Sequence, residues 1–384
     1  MASLVVDTAP LVLDVGVVLL GAATMGFAAR KVGLPAVVGY LLTGLLVSPF
    51  TPGYVASNDQ LSLLADIGVV LLLFEVGIEI DLRRISREQK ALFWGVPAQV
   101  AIGIAVGTPV FLSLGISLFG SLLIALSVAM SSSVVIVNIT RSRRRKTDSG
   151  TDEALLGWSV MQDVTGVAAA AIIIAVFGES EKSLAISLAG IIGFVLLAYV
   201  AAKLMPHILR LVRWENDLFL IYSVSIGLTI AALGTVVFGV PMALAGFVAG
   251  LAINQSRDTD DVRKAILPFR DLFAVLFFVI IGSLIEPSRV SKALPFALLL
   301  IGLVSVAKTL PVVVLAKYGK LKANPFQLGV GVSQVGEFSF VLGSLAYNQG
   351  AIDLNQFVGI LLAVVISIIG SVLLVRLRPG KSSI

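Results

Sequence analysis

The chain is short of the residue types that most enzymes and metal sites use. It has no cysteine, which excludes disulfides, thiolate metal sites and cysteine chemistry. Its single histidine, His207, excludes a metal site built from several histidines. Only 13% of the residues are charged, whereas soluble domains have about 25%. Long polar stretches are also missing, so the sequence predicts no soluble domain within these residues.

Apolar residues are what the chain has in abundance. They make up 58% of the sequence, and the mean hydropathy is +1.02. This composition predicts an all-α membrane protein that crosses the lipid many times, in a cell membrane such as the bacterial inner membrane. The net charge of +5 has an explanation in membrane topology. Membrane lipid is therefore an expected partner and nucleic acid is not.

Apolar runs separated by polar breaks predict thirteen spans. These spans lie near residues 10–28, 34–49, 61–78, 91–114, 118–138, 154–177, 184–206, 217–237, 241–254, 271–286, 294–316, 325–347 and 354–375. With the N-terminus outside and the C-terminus inside, 24 of the 28 lysines and arginines fall on the inner side and three on the outer side. This asymmetry follows the positive-inside rule and supports the count.

The thirteen spans divide into two sets of six around one linker. A single transmembrane domain, 1–384, then contains a first repeat at 10–177, a linker helix at 184–206 and a second repeat at 217–375. A one-span linker inverts the second repeat relative to the first. Inverted repeats are common in secondary transporters, which bind their substrates near the midplane on discontinuous helices.

The fifth span of each set carries polar residues at mid-membrane depth, which predicts two interrupted helices that cross at their breaks. The residues are Ser131, Ser132 and Ser133 in span 5, and Ser333, Gln334, Gly336 and Glu337 in span 12. Serines can cap the restarted half of a helix, and free carbonyl groups at a break can line an ion site. Glu337 can balance the positive end of the restarted half of span 12.

Asp163 and Lys308 place full charges inside two further spans. Such a charge costs about 2.5–3.5 kcal/mol at the bilayer centre, so its default interpretation is functional. Each lies about eight residues, or roughly 12 Å, from the predicted cytoplasmic end of its span. We therefore expect Asp163 and Lys308 to lie at one level and to pair.

A carboxylate in this setting can bind a proton or a metal cation, but the two compete. Hard monovalent cations suit the carboxylate of Asp163, the amide oxygen of Gln162 and hydroxyl or carbonyl oxygens. The sequence therefore predicts exchange of protons for K+ or Na+, with Lys308 balancing the empty carboxylate. No covalently bound cofactor is expected.

Five segments in order resemble one family. They read LPAVVGYLLTGLLVSP, DIGVVLLLFEVGIEID, Gln162-Asp163, PFRDLFAVLFFVIIGSLIEP and QVGEFSF. Together they are similar to the second branch of the monovalent cation:proton antiporters, the Kef-type potassium and related sodium/proton exchangers. The resemblance implies an NhaA-type fold, a homodimer, a moving core and a dimerising scaffold. It also implies that Asp163 binds the cation and proton and that Lys308 is the core lysine.

Three departures from the family pattern qualify what the resemblance implies. The Gln162-Asp163 pair goes with potassium exchangers and some sodium ones, and one carboxylate implies electroneutral exchange. Glu75 stands where an apolar residue is usual, and we expect it in a solvated position at the inner mouth. The cytosolic nucleotide-binding domain of Kef-type proteins is not within these residues. The alternatives are a separate regulatory domain or subunit, a truncated domain, or one that was never present.

The leading interpretation is a K+/H+ antiporter that works by alternating access, with Na+/H+ exchange as the close alternative. A gated potassium channel on the same scaffold would lack obligatory proton coupling. A sodium-coupled organic anion symporter would usually have fewer spans and no such lysine. No enzymatic activity is expected, because the residue sets of intramembrane proteases are absent.

Overall fold

The computed structural model describes residues 9–79, 90–141, 147–178, 184–240, 242–254, 259–336 and 338–377. Within these ranges the regular structure is helical, with no strand. The α-helices are α1 Ala9–Lys31, α2 Ala36–Leu46, α3 Asn58–Glu79, α4 Leu92–Ser113, α5 Leu118–Ala129, α6 Ser133–Arg141, α7 Ser149–Phe177, α8 Leu184–Val212, α9 Asn216–Val236, α10 Met242–Asn254, α11 Thr259–Ser283, α12 Val290–Leu303, α13 Leu310–Tyr318, α14 Pro325–Gly331, α15 Phe338–Asn348 and α16 Leu354–Leu377. A π-helical turn, Val304–Thr309, joins α12 to α13.

Many of these helices have the length and composition of membrane spans. In the described ranges, nine helical segments are long and apolar enough to cross a bilayer. Three shorter apolar helices, α2, α5 and α10, accompany them. The predicted all-α membrane class is thus confirmed, while the count of thirteen spans stays a prediction.

The chain forms two compact units, and each draws on both halves of the sequence. The first unit combines residues 1–79 with 189–287, and therefore contains α1–α3, most of α8, and α9–α11. The second unit combines residues 80–188 with 288–384, and therefore contains α4–α7 and α12–α16. The predicted repeats, 10–177 and 217–375, each contribute helices to both units.

Glycines bring helices of the first unit into close contact. Helix α2 meets α11 at Gly44 and Gly282, and α3 meets α10 at Gly77 and Gly250. A Cβ atom added at any of these four positions would lie 2.0–2.2 Å from a carbonyl oxygen of the facing helix. Only glycine allows backbones to approach this closely, as is common between membrane helices.

A buried ion pair joins α3 to α11 and corrects the expectation for Glu75. This residue is only 2% exposed, so it is not solvated. Its Oε1 atom accepts from Arg263 Nε at 2.8 Å, and its Oε2 atom accepts from Arg270 Nη1 at 3.0 Å. Both carboxylate oxygens are therefore used within the first unit. The pairing explains how an acid is accommodated at an otherwise apolar position.

The loop after α2 is fastened to α1 by a carboxylate. Asp14 is buried in α1, and its two oxygens accept from the Tyr54 hydroxyl and, at 2.9 Å, from the Ser57 backbone N–H. The hydrogen bond to Asp14 raises the pKa of Tyr54, which lies in that loop. The contact fixes the loop in the first unit, and gives Asp14 a structural role.

Side-chain caps fix the starts of two helices in the second unit. Helix α7 begins at Ser149, five residues before the predicted span, because Asp148 accepts from Thr151 N at 2.9 Å. Asn324 caps α14 in the same way, accepting from the Phe326 and Gln327 N–H groups. The Thr151 hydroxyl also accepts from Asn324 N at 2.9 Å, which joins the two helix starts.

Candidate ion-binding site

The second unit contains two interrupted helical segments. Helix α5 ends at Ala129 and α6 restarts at Ser133, so residues 130–132 are not helical. Helix α14 ends at Gly331, and α15 restarts at Phe338. Each interruption frees backbone N–H and C=O groups inside an apolar environment, and these groups must find other partners.

The two breaks are hydrogen-bonded to each other. The Ser131 hydroxyl donates to the Val332 carbonyl at 2.7 Å, and Gly336 N donates to the Met130 carbonyl at 3.2 Å. The Gln334 side chain adds a bond from Nε2 to the Ser132 carbonyl at 3.3 Å. Residues far apart in the sequence thus satisfy one another's free backbone groups where the segments meet.

The predicted serines of span 5 take different positions. Ser131 and Ser132 lie in the break, whereas Ser133 is the first residue of α6. Ser132 caps α6 as predicted, since its hydroxyl accepts from Val135 N at 3.2 Å. The roles of these three serines as cation ligands stay predictions. Glu337 lies outside the described residues.

Lys308 joins the two breaks from the π-helical turn. Its side chain is fully buried, and Nζ donates to the Met130 carbonyl at 2.8 Å and to the Gln334 carbonyl at 2.7 Å. Burying an ammonium group costs several kcal/mol, and carbonyl oxygens replace part of its lost hydration. π-Helical turns often mark functional sites. The pairing of Lys308 with Asp163 was predicted from their equal depth in the membrane. Helix ends do not give this depth, so the pairing stays a prediction.

Helix α16 supplies further hydrogen bonds to the second interrupted segment. Ser367 Oγ accepts from Val335 N at 2.9 Å, and Ser371 Oγ donates to the Val330 carbonyl at 2.8 Å. Neither serine was predicted from the sequence. Serines are common where membrane helices pack, so neither one stands out in the sequence.

Gln162 is held by its amide nitrogen next to the first break. Its side chain is fully buried, and Nε2 donates to Gln99 Oε1 at 2.5 Å and to the Ala129 carbonyl at 3.0 Å. Among the described residues, no hydrogen bond reaches Gln162 Oε1. A buried carbonyl oxygen without a donor is a costly arrangement unless a ligand completes it.

A second unpaired oxygen lies on the same helix. Ser159 Oγ is buried and makes no hydrogen bond within the described ranges. Ser159 precedes Asp163 by four residues, so the two side chains are neighbours on α7. Asp163 itself is half-buried. One turn of α7 thus presents a carboxylate, an amide oxygen and a hydroxyl, which are all suitable oxygen ligands for a hard cation. Ser159 was not predicted from the sequence, because it lies outside the paired motif.

These features define an all-helical membrane protein with two interrupted helices that meet next to a carboxylate-bearing helix. The chain belongs to the family of transmembrane sodium/hydrogen exchangers, whose family model matches residues 16–377. Membership of the monovalent cation:proton antiporters, predicted from the sequence, is thereby confirmed.

Relatives of known sequence and structure agree with this assignment. The chain is 28% identical over 337 residues to the putative cation/proton antiporter YbaL of Escherichia coli (strain K12), and this match covers 84% of the chain. It spans only 60% of that relative's length.

The structure of the sodium proton antiporter MjNhaP1 from Methanocaldococcus jannaschii at pH 8 superposes with a TM-score of 0.75 at 17% identity, covering 96% of this chain and 99% of that one. An electron-microscopy structure of MjNhaP1 gives 0.66 at 16% identity, covering 96% and 98%. These structural similarities show a shared fold.

Proposed function

We propose that the chain exchanges protons for a monovalent cation, and that Asp163 binds the two in turn. The observation that carries the proposal is the set of oxygens on α7. The Asp163 carboxylate lies within one turn of two buried oxygens, Gln162 Oε1 and Ser159 Oγ, that no hydrogen bond reaches in the described part of the chain. A cation bound at Asp163 would supply the missing partner for both.

The electrostatics of a carboxylate inside a membrane span favour obligatory exchange. An empty, ionised Asp163 is costly in a low-dielectric region, and either a proton or a monovalent cation neutralises it. The two loaded forms carry the same net charge, so both can pass through an occluded state that the empty form avoids. Proton movement is then coupled to cation movement, without a second titrating group.

Potassium is the first choice for the cation, and sodium is the alternative. The Gln162-Asp163 pair favours potassium by its resemblance to Kef-type exchangers. Sodium is favoured by the fold shared with a sodium proton antiporter. Oxygen ligands accept either ion, so the choice depends on the size of the site.

For the architecture we propose thirteen spans, with the N-terminus outside, the C-terminus inside and an inverted repeat. The glycine contacts of the first unit support the repeat. In such a repeat, span 2 corresponds to span 9, and span 3 corresponds to span 10. A contact between spans 2 and 10 therefore has a counterpart between spans 9 and 3. These two contacts are the Gly44–Gly282 and Gly77–Gly250 pairs. The two interrupted segments, spans 5 and 12, are likewise counterparts.

For the transport cycle we propose alternating access in a homodimer. The second unit holds the interrupted helices and Asp163, so we assign it to the moving core. The first unit, with its close glycine contacts and buried Glu75 ion pair, has the rigidity expected of a dimerising scaffold. A separate nucleotide-binding domain or subunit is the proposed regulator.

Electroneutral turnover is the first expected result. One proton exchanged for one monovalent cation moves no net charge, so an imposed membrane potential should leave the exchange rate unchanged. The measurement combines a pH dye in proteoliposomes with current recording on solid-supported membranes. A transport current that reverses with the ion gradient would contradict this stoichiometry and implicate a second titrating group, such as Lys308 or Glu337.

A further inference from the structure

Gln99 is a buried polar residue whose side-chain amide is hydrogen-bonded to Gln162. It lies in α4 and is fully buried. Its Oε1 atom accepts from Gln162 Nε2 at 2.5 Å and from Trp158 Nε1 at 3.4 Å, and its Nε2 atom donates to the Ala129 carbonyl at 3.3 Å. Its amide thus connects α4 to α7 and to the last residue of α5.

Both hydrogens of the Gln162 amide nitrogen have an acceptor in the structure. The nitrogen of Gln162 has two hydrogens, and the structure provides two acceptors, Gln99 Oε1 and the Ala129 carbonyl. The orientation of Gln162 is therefore set by these two acceptors. Its oxygen is the end that remains without a protein partner among the described residues.

The orientation of an amide determines what a nearby cation meets. With the nitrogen held, Gln162 offers the negative end of its dipole, which attracts a cation. Rotating the amide by 180° would present the N–H hydrogens instead, which repel a cation. Without Gln99, only the Ala129 carbonyl would still favour the first orientation.

We propose that Gln99 is a positioning residue for the cation step: it holds the nitrogen of Gln162, so that Oε1 faces a hard monovalent cation at Asp163. This inference rests on the proposed exchange function and adds a residue to it. Gln99 does not touch the cation or the proton. It acts through Gln162, so its effect is on cation affinity and not on the proton-carrying step.

The test is the Gln99→Met variant, which removes the amide and keeps the length of the side chain. Without this acceptor the Gln162 amide is no longer held with Oε1 towards the cation, so the apparent KM for the cation should rise about tenfold or more. The kcat should stay within about twofold, because Asp163 is unchanged. If the Gln99→Met protein does not fold, Gln99→Asn replaces it, since its shorter amide cannot keep the contact with Gln162.

A double-mutant cycle separates positioning from general packing. Gln162→Met removes the group that Gln99 is proposed to orient, so adding Gln99→Met to it should raise KM no further. Additive increases in KM would overturn the proposal, and so would an unchanged KM in Gln99→Met. Thr108→Val is the matched control, because it also removes a buried polar group from α4, one that makes no hydrogen bond in the described structure. It should leave KM unchanged.

A binding measurement distinguishes this proposal from the exchange function on which it rests. Thermal stabilisation of the detergent-solubilised protein is followed against K+ and Na+ concentration. The half-saturating concentration should rise about tenfold in Gln99→Met and stay the same in Thr108→Val. A wild-type protein that exchanges normally, with no shift in Gln99→Met, overturns the positioning role alone. A wild-type protein that responds to neither cation, in binding or in exchange, overturns both proposals.

Discussion

Asp163→Asn is expected to abolish cation-coupled proton movement and to leave a folded protein. Asparagine has the shape of aspartate, but it cannot take up a proton near neutral pH and cannot neutralise a cation. Proton movement on cation addition should therefore fall to the leak of protein-free vesicles. Stability should not fall, because an ionised carboxylate at mid-membrane depth costs about 2.5–3.5 kcal/mol and the amide is uncharged.

The measurement is the response of an internal pH dye in proteoliposomes, together with a thermal unfolding curve. Glu153→Gln is the matched control, because it makes the same carboxylate-to-amide change at an exposed position of the same helix, α7. The control should exchange like the wild type. Appreciable exchange by well-folded Asp163→Asn would show that another group carries the proton.

Two changes at Lys308 should give different results. Lys308→Met removes both hydrogen bonds of Nζ and leaves the Met130 and Gln334 carbonyl groups without this partner. Hydrogen bonds to a charged group contribute about 1.5–3 kcal/mol each, and the relief of ammonium burial offsets part of the loss. We therefore expect a clearly lower thermal midpoint and little folded protein.

Lys308→Gln retains N–H donors and removes only the charge. Exchange should continue and stay electroneutral, but its pH optimum should move upward. A nearby positive charge favours the ionised carboxylate, so without it a more alkaline solution is needed to empty Asp163. Stability should fall less than in Lys308→Met, because an amide can still reach one of the two carbonyl groups.

The measurements are a pH–activity profile in proteoliposomes and a thermal unfolding curve for each variant. Lys317→Gln is the control, because it removes an exposed charge from α13. An unchanged or acid-shifted optimum in Lys308→Gln would refute the charge-balancing role. Loss of all exchange in a folded Lys308→Gln protein would make Lys308 an obligatory part of the cycle.

The helix interruptions could be predicted from the sequence, because they change local composition. Runs of serine at 131–133, and the Ser333, Gln334 and Gly336 group, stand out within long apolar segments. Asp163 and Lys308 stand out for the same reason, since charges are rare in membrane spans. Each of these residues differs from its apolar neighbours in the sequence, so it can be recognised without knowledge of its partners in the fold.

The partners could not be predicted, because hydrogen bonds between helices depend on packing. Gln99, Ser159 and Ser367 are single polar residues with no periodic pattern, and their importance appears only when neighbouring helices are in place. The π-helical turn at Lys308 has no signature in hydropathy. The long start of α11 was missed because its charged residues lie outside an apolar window, although Glu75 pairs with two of them.

The central claim is that a proton and a cation compete for one carboxylate, and one measurement tests it directly. Proteoliposomes containing the wild-type chain and a pH dye receive stepwise additions of K+, Na+, Rb+ or Li+ at several pH values. At least one cation should drive proton movement. On the acid side, the apparent KM for that cation should rise about tenfold for each unit by which the pH falls, while the maximal rate stays constant. Cation flux without a pH change, or a KM independent of pH, would contradict the claim.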